Sequence, residues 1–157
     1  MTTLRLGGPP RRLVSATTDA ELVDALRGSS GEAVFLLGGG SNVVVSDDGY
    51  DGLVVQVVTK GIGFERVGGR VHVTVAAGEV WDDLVAVCVE RGLSGLSCLS
   101  GIPGSVGATP LQNVGAYGSE VSDTIVSVKV CERATGAVDD VPGASCAFGY
   151  RTSRFRG

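Results

Sequence analysis

At 157 residues the chain is long enough for one domain or two small subdomains, and it can bury roughly two-thirds of its unfolded surface without disulfides. A hydrophobic content of 43% excludes a disordered chain, and a net charge of -4 with a pI near 4.9 argues against a general nucleic-acid or anionic-membrane surface. Eleven arginines against two lysines fit local capture of phosphate or carboxylate, and fit a genomic compositional bias equally well. The N-terminus, MTTLRLGGPP, has no apolar signal region, and the cysteines at 88, 98, 131 and 146 show no C-x-x-C spacing. A reduced, cytoplasmic protein without a membrane-inserted segment is expected. Cys88 falls on the apolar side of a predicted helix, and a single histidine leaves a Cys/His zinc site without support, so no metal is expected.

In chain order, RRLVSA (11–16) reads as a short strand. Thr18 and Glu21 then form a capping box opening an amphipathic helix with Leu22, Ala25 and Leu26 on one side, ended by Gly28 to Gly31. AVFLL (33–37) is a short apolar run of the buried-strand kind and leads straight into GGGSN. VVVS (43–46) follows as extended chain, then the turn DDGYDG and the strand LVVQVV (53–58). The pattern changes near Lys60. VHVTVA (71–76) alternates as a half-buried strand, and WDDLVAVCVERG places Trp81, Leu84, Val85, Cys88 and Val89 at helical spacing with Gly92 as the stop. Further strands are predicted in TIVSVKVCE (124–132) and AVDDV (137–141), before an arginine-rich tail. This order gives an α+β fold in two parts, 1–60 and 61–157.

Two glycine-rich segments carry the candidate chemistry. Gly38, Gly39, Gly40, Ser41 and Asn42 directly follow a strand, where backbone N–H groups freed of side-chain bulk can converge on an anion. A G-x-G-x-x-G fingerprint would need glycine at Val43, and no Gly-Lys pair exists for a P-loop. On its own GGGSN reads as a tight turn before it reads as a phosphate cradle. The second segment lies in a run from Gly92 to Ser119 with no charged residue and seven glycines, interrupted by Pro103, Pro110, Gln112 and Asn113 and therefore no membrane helix. In Ser100-Gly101-Ile102-Pro103-Gly104-Ser105-Val106-Gly107 a capping serine and an early proline can start a short helical turn whose N–H groups point at an anion. Gly101, Gly104 and Gly107, three apart, put bare backbone on one face, either for a ligand or for close packing of two backbones. His72 reads as a strand residue, Trp81 as core, and Asp82-Asp83 and Asp47-Asp48 as solvated acids; no G-x-S-x-G elbow occurs.

Four blocks, TTLRLGGPP (Thr2 to Pro10), LLGGGSNVVVSDDGYDGLVV (Leu36 to Val55), GLSGLSCLSGIPGSVGATPLQNVGAYGSEVSDTI (Gly92 to Ile125) and FGYRTSRF (Phe148 to Phe155), closely resemble the UDP-N-acetylenolpyruvoylglucosamine reductases, in that family's order. The resemblance implies a two-subdomain FAD-binding fold of the vanillyl-alcohol oxidase type, not a Rossmann fold, with FAD between the halves. It implies noncovalent FAD, since His72 is outside both glycine sites. The contacts it implies come from Gly38, Gly39, Gly40, Ser41, Asn42, Gly101, Ile102, Pro103, Gly104, Ser105, Gly107, Asn113, Gly115, Ala116, Tyr117 and Gly118.

In that family NADPH reduces FAD, and hydride then reaches the enolpyruvyl double bond of a UDP-sugar during peptidoglycan synthesis. An arginine steadies the resulting enolate charge, and a serine returns a proton. The resemblance places the arginine at Arg151, with Tyr150 beside it as a substrate-pocket residue. The proton-donor serine and a late glutamate belong, in the family, to a C-terminal substrate domain beyond FGYRTSRF, and neither maps to this chain. The resemblance therefore implies the FAD-binding portion of the enzyme. A noncatalytic flavin or nucleotide module, and a flavin oxidoreductase on another substrate, remain the other readings.

Overall fold

The computed structural model describes residues 2–29 and 31–156. Its first half is built on a three-stranded sheet, with β1 (Pro10–Ala16) and β2 (Val34–Leu37) both paired in parallel to a central β3 (Tyr50–Val57). Side chains alternate across a strand, so Val14, Ala16, Val34, Leu53 and Val55 turn to one face, where Leu22 and Ala25 of helix α1 (Asp19–Arg27) meet them. The predicted capping box starts α1: the Glu21 N–H donates to Thr18 Oγ1 at 3.2 Å, and the Thr18 N–H returns to Glu21 Oε2 at 3.3 Å. Gly28 closes the helix, donating to Asp24 and Leu26 carbonyls, while Ser30 of the predicted stop lies outside the described residues.

The opposite face of that sheet is not covered by a helix. Leu13, Val54 and Phe35 stand in register across it and, with Tyr50 whose ring lies 5.9 Å from that of Phe35, line an apolar groove of about 970 Å³ to which Leu6 and Val43 also contribute. Val43–Ser46, expected as extended chain, joins no sheet; the Ser46 carbonyl accepts the Gly8 N–H at 2.8 Å and the Gly49 N–H at 2.9 Å, because the N-terminal strap and the following turn lie against it. None of the predicted site residues lines this groove.

The second half begins with the antiparallel hairpin β4 (Ile62–Val67) and β5 (Arg70–Val75), of which only β5 was legible as a strand. Ile62, Phe64, Val73 and Val75 pack toward α2 (Trp81–Glu90), whose Trp81, Leu84, Val85 and Cys88 are buried together with Leu99 and Val121. The helical spacing predicts this stripe, although Val89 lies at its margin and is 52% exposed. Gly92, at φ +69°, turns the chain out of α2 as a left-handed helix stop. Two small hairpins follow: β6 (Gly115–Ala116) with β7 (Ser119–Glu120), and β8 (Ser127–Cys131) with β9 (Val138–Pro142). The arrangement is α+β, with one apolar cluster drawn from residues 14–55 and another from 62–125. Among the described residues no helix is long and apolar enough to cross a membrane.

Candidate cofactor-binding site

The bend Gly38–Asn42 leaves the end of β2 at the sheet edge, with Gly40 at φ +66° and its carbonyl accepting the Thr3 N–H at 3.0 Å. The second bend, Ser100–Gly107, lies directly against it. A side chain at Gly38 would collide with Ser105 Oγ, Gly39 faces the Cα of Gly104 at 3.7 Å from where its own Cβ would sit, and Gly104 faces Ser41 Oγ at 3.6 Å in the same sense. Glycine here permits close backbone approach, and at Gly104 it also permits φ +126°. Two segments far apart in sequence thus lie in direct contact.

The second bend is held from beneath by the start of α2 and the loop before it. The Trp81 indole donates to the Leu99 carbonyl at 2.8 Å and the Trp81 N–H to the Gly104 carbonyl at 3.0 Å. Asp82 Oδ1 accepts both the Ser100 hydroxyl at 2.9 Å and the Gly101 N–H at 2.6 Å. Those bonds, the Gly101 one foremost, hold the Asp82 carboxyl below its ordinary range. The Val106 N–H donates to Glu79 O and the Gly107 N–H to Ala77 O, each at 2.9 Å. Asp82 is therefore an exposed acid, as its helical position indicated, that also anchors the loop. Its first-turn location beside an uncharged glycine loop was the available signal.

Two expectations for this bend are corrected. Ser100 caps no new helix: it closes a 3₁₀ turn (Ser97–Leu99), and the next turn, Val106–Ala108, starts after Ser105, because Asp82 has already taken the Ser100 hydroxyl. Nor do the three glycines share a face. Gly101, at φ +77°, borders open space, Gly104 faces the first bend, and Gly107 is pressed on Ala77 as backbone packing. Ile102 is half-buried on the core, and Pro103 is exposed.

What both bends offer is main-chain donors. Among the described residues no N–H of Gly39, Gly40, Ser41, Asn42, Gly104 or Ser105 is taken by a protein acceptor. Uncommitted N–H groups on two touching, glycine-lined bends suit a diphosphate. The donor set fits the FAD that the fold implies.

A second pair of segments meets beside the first. Asn113, fully buried at φ +44°, donates to Glu120 Oε2 at 2.7 Å and to the Gly149 carbonyl at 3.1 Å, and accepts the Ser122 N–H at 3.1 Å. Its side chain is thus committed to protein partners. Gly115 and Ala116 form one strand of the β6–β7 hairpin, and Tyr117 and Gly118, at φ +52° and +80°, make its turn. Arg151 Nη2 donates to the Gly115 carbonyl at 2.7 Å, and Ser153 Oγ to the Leu111 carbonyl at 2.8 Å. The tail is so docked on 111–120, leaving Tyr117 and Tyr150 exposed at 92% and 86% and Arg151 on the surface with further N–H donors. His72 is exposed on β5, opposite Glu65. The four cysteines are free, with burial pushing the Cys88 and Cys146 thiols up. No cluster of three metal-ligating side chains occurs among the described residues.

The sequence profile of the FAD binding domain family matches residues 10–141. UDP-N-acetylenolpyruvoylglucosamine reductase of Streptomyces avermitilis is 52% identical over 99% of this chain and 42% of its own length; that of Streptomyces coelicolor is 51% identical over 99% and 40%. The crystal structure of the reductase from Thermus caldophilus superposes with a TM-score of 0.71 at 30% identity, covering 90% of this chain and 49% of that one. The chain thus spans about two-fifths of the length of these curated relatives. With its matched profile, its α+β architecture and its facing glycine bends, the chain belongs to the FAD-binding domain family.

Proposed function

We propose that this chain is the FAD-binding portion of a UDP-N-acetylenolpyruvoylglucosamine reductase, an NADPH-dependent cytoplasmic flavoenzyme of peptidoglycan synthesis. The observation that carries the proposal is the contact between Gly38–Ser41 and Gly104–Ser105, which brings together two bends whose N–H groups at Gly39–Asn42, Gly104 and Ser105 have no protein acceptor among the described residues. FAD held there supplies hydride, received from NADPH, to the enolpyruvyl double bond of the UDP-sugar.

In this reading Gly38, Gly39, Gly40, Ser41 and Asn42 bind the diphosphate from one side, and Gly101, Ile102, Pro103, Gly104, Ser105 and Gly107 form the other. Gly115, Ala116, Tyr117 and Gly118 continue the wall. Asn113 acts from below, fixing the positions of the β6–β7 hairpin and the tail. Arg151, oriented by the Gly115 carbonyl, places positive charge where the enolpyruvyl group gains negative charge, and Tyr150 borders the sugar nucleotide. The division near residue 60 separates the two halves of the flavin bed. Binding is noncovalent, with no histidine at either bend. The proton that completes reduction comes from groups outside residues 1–157.

Purified protein titrated with FAD tests the assignment. Saturable one-to-one binding, with the colour bleached by NADPH, supports it. A colourless protein that ignores FAD contradicts it, and reduced flavin that the enolpyruvyl sugar nucleotide fails to reoxidise when the remaining segment of a relative is supplied would move it to another flavin oxidoreductase.

A further inference from the structure

The spacing between the two bends must be set by something other than the bends, since glycine contacts are soft. The connection between the two halves is the segment Thr59–Gly61, and it is bound to the loop Ala76–Val80 from one side. The Gly61 N–H donates to Glu79 Oε1 at 2.7 Å, Lys60 Nζ to Glu79 Oε2 at 3.0 Å and to the Gly78 carbonyl at 3.1 Å. The Gly78 N–H donates to Thr59 Oγ1 at 3.0 Å, and a side chain at Gly78 would collide with Val58 and Thr59.

The other side of the same loop carries the second bend: Glu79 O accepts the Val106 N–H, Ala77 O accepts the Gly107 N–H, and Val80 bridges Ser105. Ser105 in turn abuts Gly38. One residue, Glu79, thus grips the connection with its carboxylate and the flavin-facing bend with its carbonyl. Its carboxylate is only 16% exposed and is the sole side-chain acceptor recorded for the Gly61 N–H and Lys60 ammonium. The Gly61 N–H, and after it Lys60, hold that carboxyl below its ordinary range, so it is charged when it does this.

We infer that Glu79, clasped to Lys60 and Gly61, is a positioning residue that fixes the gap between the two glycine bends and thereby tunes affinity for FAD. It touches no cofactor itself. The inference rests on the FAD-binding reading for its consequence, and on the hydrogen-bond chain alone for its geometry.

The test uses the whole chain with Glu79→Ala, Glu79→Gln and Lys60→Met, held well below their melting temperatures. FAD affinity is read by flavin fluorescence, and amide exchange at Gly61, Val106 and Gly107 by NMR. Glu79→Ala weakens FAD by about tenfold and speeds exchange at all three amides; Glu79→Gln, which keeps an acceptor for Gly61, restores most of both. Lys60→Met falls between. A purely structural glutamate would lower the melting temperature while leaving the FAD affinity of the folded protein unchanged, and that result overturns the inference. If the parent chain binds no FAD, the functional reading fails, and unchanged exchange at Val106 and Gly107 in Glu79→Ala overturns the clasp separately.

Discussion

Asp82 Oδ1 receives the Gly101 N–H at 2.6 Å and thereby ties the first turn of α2 to the bend that faces Gly38–Asn42. A carboxylate whose pKa is lowered on folding adds stability that is complete above its unfolded value and is lost as pH falls through the folded one. The ordinary value for Asp82 is 3.8. Protection of the Gly101 amide should therefore be constant near neutrality and should fall as pH drops below about 4, while Asp82→Asn shows weak protection that is flat with pH. Amide exchange against pH checks it; the same acid dependence in both proteins would remove Asp82 from the anchor.

Gly38→Ala forces a methyl group into Ser105 Oγ and pushes the bends apart. The expected result is FAD binding weakened by about tenfold or more, with stability lowered by about 1–3 kcal/mol. Adding Ser105→Gly removes the obstructing hydroxymethyl and should recover most of the affinity. Fluorescence titration of the two variants decides, and an unrescued double variant would show that the contact is not what limits binding.

Asn113→Ala leaves the Ser122 N–H and the Gly149 carbonyl without their buried partner. The expected loss is about 1–3 kcal/mol, read as a melting temperature lower by about 3–10 °C. Limited proteolysis should then release the tail first, because that bond and the Arg151–Gly115 bond dock it.

Arg151→Ala, placed in a protein that also carries the following segment of a relative, should lower hydride transfer to substrate by about 10²–10³-fold with FAD affinity nearly unchanged. Stopped-flow oxidation of the reduced flavoprotein separates the two quantities. Equal loss of both would make Arg151 a support of the Gly115 strand only.

Much of the fold follows from local chemistry. The Thr18–Glu21 box and the Trp81–Cys88 stripe are patterns that a helix needs whatever surrounds it, so they are visible in sequence. Val43–Val45 are β-branched yet join no sheet, since their neighbour is the N-terminal strap, which no local pattern announces. The glycine bends were legible as bare backbone, and the resemblance located them in the family's motifs. Their anchors were not: Asp82 reads as a surface acid until the chain brings Gly101 over it, and Glu79 reads as ordinary until both its carboxylate and its carbonyl find partners. Gly107 packs on Ala77, the close-packing alternative that its spacing left open, and that partner is a tertiary contact no local pattern shows.

The proposed function requires both bends to hold one ligand through main-chain N–H groups. Backbone amide NMR during FAD titration measures that directly. Resonances of Gly39–Asn42 and of Gly104–Ser105 should move together and saturate at one equivalent with a single dissociation constant. Movement confined to one bend, or movement of neither while FAD binds elsewhere, would contradict it.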